Sequence, residues 1–251
     1  MINFRDMGGI RTTDGKRIKK GMLFRTAVIN PRNKKEMKYL LSLNLDYILD
    51  LRNPYEVEKK PDFIPEGCQY INAPVLLNKA DSGVVPRDIK EYVTNAIQEE
   101  IEEATREFAE TYSYMPYSVE AYTKLFKIMN EGKRIAFHCT AGKDRTGVAA
   151  MMVQLALGCS RESVIEEYIK TDIYRKRFNA TRHFIIKLFV RKKYLVDYFV
   201  TCAYAHESFI HLALNAIFDK YKTIEEFLNA EYGVTAEDIA GWKEVYLEED
   251  K

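Results

Sequence analysis

The chain has 251 residues, of which 47% are hydrophobic and 30% are charged, a balance that is typical of globular proteins and excludes disordered or fibrous chains. Its 38 basic and 37 acidic residues leave a formal net charge of +1. A charge this small gives no whole-molecule field that could gather nucleic acid or coat an anionic membrane, so any such attraction must come from a local patch. We therefore expect no nucleic-acid partner.

No segment is typical of a membrane span or a secretory signal. The longest apolar run, residues 148–153, is far shorter than the ~20 residues that cross a bilayer. The amino end carries charges where a signal would have its apolar core, so we expect a cytoplasmic protein, with export by a signal-independent route left open. The four cysteines form no Cys-x-x-Cys pair, which argues against a zinc ribbon or a disulfide framework.

Strand and helix signals alternate along the first half of the chain. Short apolar runs predict strands at 22–25, 47–51, 70–72 and 133–138. Between the first two runs, Asn33 and Glu36 form a capping-box pattern ahead of apolar residues at helical spacing, which predicts a helix. This alternation is typical of βαβ units and predicts an α/β fold with a mostly parallel central sheet flanked by helices.

The alternation is interrupted at residues 78–120, where a polar, Glu-rich stretch predicts an inserted, partly exposed helical segment. A solvated surface helix explains its charges, and its position just before the strongest motif also allows a lid over a site. From Gly147 onward the pattern is helical, with a stop at Gly158 and a final helix after Thr235. We expect a single domain over 1–251 that contains the insert and a helical carboxyl-terminal half.

The chemistry concentrates at residues 137–147, which follow an apolar strand signal and run directly into a helix. Five residues separate Cys139 from Arg145, a spacing that lets the loop curl with its backbone N–H groups pointing inward and Gly142 at the turn. Such donors, with the positive end of the following helix, suit a tetrahedral phosphate and favour a thiolate at Cys139. The planar fork of Arg145 can bind two phosphate oxygens at once.

Neighbouring residues admit two interpretations each. Cys139 alone could be a small buried residue, but its spacing to Arg145 favours a nucleophile, whereas the other three cysteines are assigned to packing. Thr146 could donate a hydrogen bond to the cysteine sulfur or cap the helix. We expect His138 to act on Cys139 through the loop backbone. The remaining histidines show no ligand spacing for zinc, so no metal is expected.

The string His-Cys-Thr-Ala-Gly-Lys-Asp-Arg-Thr-Gly at residues 138–147 resembles the signature loop of the cysteine-dependent protein tyrosine phosphatases. It is most similar to a bacterial branch of tyrosine and dual-specificity phosphatases that also act on phosphoinositides. Segments at 3–9, 24–26, 50–53 and 232–239 resemble that branch too. The resemblance implies a parallel-sheet phosphatase fold and a phosphocysteine intermediate, without metal or other cofactor.

The same resemblance implies a phosphorylated protein or a phosphoinositide as substrate, and inorganic phosphate as product and inhibitor. Phosphotyrosine is the expected target, with phosphoserine and phosphothreonine as further ones. The loop and the strand end beside it supply the expected substrate-binding residues, namely Thr140, Ala141, Gly142, Lys143, Thr146 and Asp50. The alternative function is a catalytically silent phosphate-binding module.

The acid that protonates the leaving group is less obvious. Better-known tyrosine phosphatases carry a Trp-Pro-Asp loop, but the only tryptophan here is Trp242, far downstream. The branch that this chain resembles is thought to use the aspartate inside the signature loop, which is Asp144; the other interpretation of Asp144 is a hydrogen-bond acceptor that stabilises the loop. Asp81 in the insert and Asp50 are the alternatives, although Asp50 with Arg52 could instead be a charged pair that braces the loop.

A basic stretch near the middle of the helical half suggests a local contact with phosphoinositides or an anionic membrane. Residues 175–193 contain eight Lys and Arg and no Asp or Glu, with apolar residues interleaved at helical spacing. One interpretation is an amphipathic helix that buries its apolar residues, and the other is a peripheral membrane contact. Lys143, inside the signature loop, is expected to add a second cation to the phosphate pocket.

Overall fold

A computed structural model describes residues 1–75 and 97–250. Its centre is a five-stranded sheet made of β1 (Arg5–Asp6), β3 (Leu23–Thr26), β4 (Tyr47–Asp50), β5 (Gln69–Asn72) and β6 (Ile135–His138). The strand order is β1-β3-β6-β4-β5, and only the β1–β3 pair is antiparallel. A separate antiparallel pair joins β2 (Lys16–Ile18) to β7 (Leu247–Glu249). The predicted α/β fold with a mostly parallel sheet is confirmed.

The three inner strands are buried along their whole length, which explains their continuous apolar runs. Their register brings Thr26 at the end of β3 and Asp50 at the end of β4 opposite His138 at the end of β6. The segments that leave these three strands therefore start at one edge of the sheet. In open parallel sheets this edge is where ligands bind.

Helices surround the sheet and make up nearly all of the carboxyl-terminal half, as predicted. They are α1 (Lys34–Ser42), α2 (Pro54–Lys59), α3 (Gln98–Tyr114), α4 (Val119–Asn130), α5 (Asp144–Ala156), α6 (Arg161–Phe189), α7 (Lys193–Ala203), α8 (Glu207–Phe218), α9 (Ile224–Tyr232) and α10 (Ala236–Tyr246), with a 3₁₀ turn at Met115–Tyr117. None of the described helices combines the length and apolar character that crossing a bilayer requires.

Helix ends follow the capping signals in the sequence. Asn33 caps α1 and Thr235 caps α10 through side-chain bonds to backbone N–H groups. Only half of the capping box expected at α1 forms, because Glu36 accepts from the backbone N–H of Arg32 and not from Asn33. Gly158, with φ of +91°, follows the end of α5.

Helix α5 joins the sheet to the helical half. From Arg145 to Ala156 every residue of this helix is buried. It contacts β3 and β6 of the sheet and the helices α6, α8 and α9. Because its first turn carries Arg145, the tightly packed helix fixes one end of the signature loop.

The described part of the predicted insert, residues 97–120, contains α3, the 3₁₀ turn and the start of α4. Helix α3 packs against α7 and α8. Its buried residues are Ile101 and Tyr112, and most of its charged residues are exposed, in agreement with a partly solvated helix. Asp81 and the rest of the segment 76–96 lie outside the described residues. The lid role of the insert stays a prediction.

Candidate active site

The loop between β6 and α5, which we call the signature loop (residues 139–145), lies at the carboxyl edge of the sheet. Gly142 at its turn has φ of +66°, a conformation that side chains other than glycine rarely adopt. A Cβ atom at Gly142 would lie 2.3 Å from the backbone oxygen of Thr26. The loop therefore passes directly against the end of β3, and only glycine allows that approach.

Two successive carbonyl groups of the loop are held from outside. The oxygen of Ala141 accepts from Asn3 Nδ2 (3.0 Å) and from an Arg175 terminal nitrogen (2.8 Å). The oxygen of Gly142 accepts from Asn3 Nδ2 (2.7 Å) and from an Arg25 terminal nitrogen (3.1 Å). Because the N–H of a peptide unit points opposite to its carbonyl, these bonds turn the loop N–H groups toward the concave side, where they can bind an anion.

Asn3 and Arg25 belong to a buried group that we call the Glu167 cluster (Asn3, Arg5, Arg25 and Glu167). Arg5 donates to Asn3 Oδ1 and, at 2.6 Å, to Glu167 Oε1, while Arg25 donates to Glu167 Oε2. Burial opposes ionisation of Glu167, but the charges of Arg25 and Arg5 hold its pKa below the usual range. Burial, and then repulsion from Arg25, lower the pKa of Arg5 to about 10.

Arg145 lies at the other end of the loop and forms a bidentate pair with Glu56 of α2. Its two terminal nitrogens donate to the Glu56 carboxylate at 2.6 and 2.8 Å. Thr140 donates to the same carboxylate through its hydroxyl. Burial disfavours the charge of Glu56, but the hydrogen bond from Arg145 keeps the pKa of Glu56 below its usual range. Glu56 thus fixes the plane of the guanidinium beside the loop.

Asp144 is partly exposed and is held through one of its two carboxyl oxygens. Its Oδ1 accepts from the Tyr112 hydroxyl and lies 3.1 Å from the ammonium of Lys143. The Tyr112 hydroxyl is also 2.7 Å from that of Tyr168. Burial, and then the charge of Asp144, raise the pKa of Tyr112 well above its usual value, so this hydroxyl stays protonated. The contacts orient Asp144 through Oδ1 alone.

Lys143 does not have the environment that the sequence suggested. Its side chain is buried, and its ammonium donates to the carbonyls of Cys202 (2.7 Å) and Tyr204 (2.9 Å) at the end of α7. With Asp144 as the third neighbour, all three N–H groups of Lys143 have acceptors. The expectation that Lys143 offers a second phosphate-binding cation is therefore wrong in this structure, because its donors already hold α7.

Asp50 is fully buried in a second group, the Asp50 cluster (Asp50, Arg52, Asp62, Tyr70 and His138). Its carboxylate accepts from Arg52 at 2.6 to 3.0 Å and from the Tyr70 hydroxyl at 2.7 Å. Burial opposes its ionisation, but Arg52 holds the pKa of Asp50 below its usual range. These contacts match the bracing pair and not the substrate-binding role that was also expected of Asp50.

The Asp50 cluster also contains a possible metal-ligand set. Within the described residues, Asp50, Asp62 and His138 are one group whose ligand atoms lie within 4.8 Å of one another. Arg52 donates to both carboxylates and is completely buried between them. A metal ion would have to displace this guanidinium, so the residues present do not fit one. Nδ1 of His138 lies 3.2 Å from the Cys139 carbonyl, which supports an action through the loop backbone.

Cys139 itself is buried just after β6, with Thr146 and Tyr122 as buried hydroxyl residues of the surrounding core. The hydroxyls of Thr146 and Tyr122 have no hydrogen-bond partner within residues 1–75 and 97–250. Burial, and then the nearby Cys139, raise the pKa of Tyr122. Thr146 is the third residue of α5, whose cap is Lys143, so the helix-capping interpretation of Thr146 is wrong. The unpartnered hydroxyl is compatible with a bond to the cysteine sulfur.

Sequence reasoning identified the loop and missed the residues that orient it. Glu56, Tyr112 and Glu167 were not singled out, although Glu56 lies four residues after Arg52 in a segment that contains a capping box with Asn53. That box was a usable signal for α2 and hence for Glu56. Tyr112 and Glu167 carry no local signal, because each contacts residues far away in the sequence.

A sequence pattern that describes the tyrosine phosphatase family matches residues 1–248. The chain belongs to the tyrosine phosphatase family. A Cupriavidus necator protein whose name assigns it to the tyrosine-protein phosphatases is 28% identical over 179 residues, which are 71% of this chain and 63% of that protein. The triple specificity protein phosphatase PtpB of Mycobacterium tuberculosis is 26% identical over 187 residues, 68% of this chain and 66% of PtpB.

The alignments thus span slightly less than two thirds of each of these phosphatases. Among solved structures, Pseudomonas aeruginosa TpbA in complex with phosphotyrosine is 12% identical over 80% of this chain and 90% of that one, with a TM-score of 0.31. The family assignment does not rest on that structure. It rests on the sequence match, which covers both the signature loop and the segments that supply Asn3, Arg25 and Glu56.

Proposed function

We propose that this tyrosine phosphatase hydrolyses phosphotyrosine through a phosphocysteine intermediate. The observation that carries the proposal is the arrangement of the signature loop. Cys139 lies at one end and Arg145 at the other, and the carbonyl groups between them are held outward by hydrogen bonds. This arrangement presents N–H donors, a guanidinium and a nucleophile to a single phosphate group.

In the first step the Cys139 thiolate attacks phosphorus, and the bond from phosphorus to the tyrosyl oxygen breaks. Loop N–H groups and Arg145 bind the three oxygens on which charge accumulates. Glu56 already holds one N–H of each terminal nitrogen of Arg145, and the Leu51 carbonyl accepts a second N–H from one of them at 3.4 Å. The Nε–H of Arg145 and the weakly engaged N–H near Thr140 (3.5 Å) are left for the phosphate. Asp144 transfers its proton to the leaving oxygen, and its Oδ2 is the oxygen not held by Tyr112.

In the second step water attacks the phosphocysteine, and the sulfur leaves as thiolate. Asp144, now a carboxylate, accepts the proton that water loses, so the enzyme returns to its starting state and inorganic phosphate is released. The buried, unpartnered hydroxyl of Thr146 is proposed to donate a hydrogen bond to the leaving sulfur. Each step uses groups of this chain and no cofactor.

We extend the proposal to phosphoserine, phosphothreonine and phosphoinositides. The similarity to PtpB supports this breadth, because that relative is named a triple specificity phosphatase. Lys143 gives no support, since its three donors are occupied. The proposed setting is the cytoplasm, where a reducing environment agrees with four free cysteines.

The experiment is a panel of phosphotyrosine, phosphoserine and phosphothreonine peptides and phosphoinositides, with phosphate release as the readout. Wild type is expected to hydrolyse phosphotyrosine fastest, and Cys139→Ser to release no phosphate above background. Cys68→Ser, at a partly exposed cysteine in the loop before β5, is the matched control and should keep full activity. A wild type that binds phosphate but turns over no ester would instead establish the silent binding module.

A further inference from the structure

The carboxyl-terminal end of α6 turns its apolar side chains outward. Phe184, Ile185, Leu188 and Phe189 are 69%, 48%, 65% and 76% exposed. Because they are spaced three and four residues apart, they share one side of the helix. We call these four residues the apolar face. The interpretation that this helix buries its apolar residues is wrong, because the end of α6 extends beyond the core. The opposite side of α6 packs on α7, where Asn179 donates to the Ala203 carbonyl.

Basic side chains surround the apolar face. Arg182 and Lys187 are exposed on either side of it, and Lys176 and Arg177 are exposed earlier on the same helix. No acidic residue occurs between residues 175 and 193. A chain with almost no net charge thus concentrates positive charge around an exposed hydrocarbon surface. Exposed apolar patches of this kind are uncommon unless they contact a partner.

We propose that the apolar face docks on the surface of an anionic lipid bilayer. A helix with an apolar side flanked by Lys and Arg lies in the plane of such an interface, with its apolar residues in the acyl boundary and its cations at the headgroup phosphates. Nucleic acid would satisfy the cations but leave Ile185 and Leu188 in water. An anionic bilayer meets both requirements of this surface, because it offers hydrocarbon to the apolar residues and phosphate to the cations.

The apolar face is connected to the signature loop through the helix that carries it. Arg175 is on the same helix, is buried, and donates to the Ala141 carbonyl at 2.8 Å. It precedes Phe184 by nine residues, which is about 14 Å along a helix. Lys143 ties the loop to the end of α7, which packs on α6. A docked enzyme therefore holds its phosphate loop near the headgroup layer.

This inference goes beyond the proposed function and does not require the lipid to be a substrate. The test uses sedimentation with vesicles of phosphatidylcholine alone or with phosphatidylserine, whose phosphate is a diester and is not a substrate for a phosphomonoesterase. Wild type is expected to bind the anionic vesicles, and the binding should weaken as salt increases. Leu188→Ser and Lys187→Glu should each lower the partition coefficient about tenfold.

Matched controls make the same chemical changes elsewhere. Leu41→Ser replaces a leucine of α1 that is 47% exposed, and Lys127→Glu reverses an exposed charge of α4. Both should bind vesicles like wild type, and all four variants should keep aryl phosphate hydrolysis. Phe189→Ser, at the most exposed position of the face, replaces Leu188→Ser if the latter loses that activity.

The proposal is overturned if wild type does not prefer anionic vesicles, or if the control variants lose as much binding as the α6 variants. It is also overturned if a single-stranded RNA displaces the vesicles and its own binding depends on Lys187 but not on Leu188. If wild type showed no aryl phosphate hydrolysis, the proposed function would be refuted, but the vesicle result would be unaffected.

Discussion

Two buried ionic clusters lie beside the signature loop, and their compositions are opposite. The Glu167 cluster has two guanidinium groups and one carboxylate, whereas the Asp50 cluster has two carboxylates, one guanidinium group and a histidine. The first donates three hydrogen bonds to loop carbonyls through Asn3 and Arg25. The second reaches the loop only through His138 within the described residues.

The difference shows that the two clusters support different parts of the anion site, one the conformation of the loop and the other the orientation of Arg145. The Glu167 cluster places its excess positive charge against the outer side of the loop, where it fixes the N–H groups and favours an anion inside. The Asp50 cluster holds the segment that leads to α2 and thus to Glu56, because Arg52 also donates to the Lys60 carbonyl at 2.7 Å. The Glu167 cluster thus holds the conformation of the signature loop, and the Asp50 cluster positions Glu56, the partner of Arg145.

The largest expected effect is a loss of stability when the Glu167 cluster loses its carboxylate. Glu167→Gln leaves Arg5 and Arg25 buried without a counter-charge, so the free energy of unfolding should fall by ~3–5 kcal/mol. Urea unfolding measures the change. Glu166→Gln, at the exposed neighbouring position, is the control and should change stability by less than ~0.5 kcal/mol. A loss at Glu167 no greater than at Glu166 would contradict the role assigned to this cluster.

A second prediction assigns the general acid to the loop and not to the Asp50 cluster. Asp144→Asn should slow hydrolysis of phenyl phosphate by about 10²-fold or more, and that of 4-nitrophenyl phosphate much less, because a good leaving group needs little proton assistance. Asp50→Asn, which disturbs a brace, should lower both rates by the same factor. If Asp144→Asn slowed both substrates equally, the role would move to Asp81 or Asp50.

A third prediction concerns the donor that joins the Glu167 cluster to the loop. Asn3→Asp replaces the amide donor with an acceptor opposite the Ala141 and Gly142 carbonyls, so the inhibition constant of inorganic phosphate should rise about tenfold. Asn44→Asp is the matched control, since Asn3 and Asn44 both have positive φ, +53° and +48°. Unchanged phosphate inhibition in Asn3→Asp would show that the loop does not depend on this bond.

The smallest effect is a change with pH. The folded pKa of Glu167 lies below its ordinary value of 4.5, so its carboxylate contributes its full stability above that pH and loses it as the pH falls through the lower folded pKa. The difference in unfolding free energy between wild type and Glu167→Gln should therefore shrink as the pH is lowered below 4.5. A difference that stayed constant from neutral to acid pH would contradict the pairing.

Local signals in the sequence were sufficient for the four parallel strands of the sheet, the helical half and the loop itself, whereas the short strands β1, β2 and β7 were not predicted. The strand runs, the helix after Thr235 and the stop at Gly158 are local patterns that form as expected, and Asn33 caps α1 although only half of its predicted capping box forms. The contacts that orient the site are not local. Arg5 and Glu167 are 162 positions apart, and Tyr112 meets Asp144 across 32 positions, separations that no periodicity encodes.

The direction in which a side chain points was the other feature that could not be predicted from the sequence. The loop position of Lys143 suggested a phosphate contact, but a buried ammonium needs acceptors, and α7 provides two carbonyls. Arg175 was grouped with the basic stretch, yet it is buried and bonded to the loop. The sequence left open whether the apolar side of α6 is buried or outward, because spacing alone does not tell which side of a helix meets the core.

The central claim is that Cys139 carries the phosphoryl group between the two steps. Wild type is mixed with 4-nitrophenyl phosphate in the presence of a metal chelator, quenched within milliseconds and analysed by mass spectrometry of its peptides. The account predicts undiminished turnover and one added phosphoryl group on the peptide that contains Cys139, with none in Cys139→Ser. A phosphoryl group on another residue, or turnover that persists in Cys139→Ser, would contradict it.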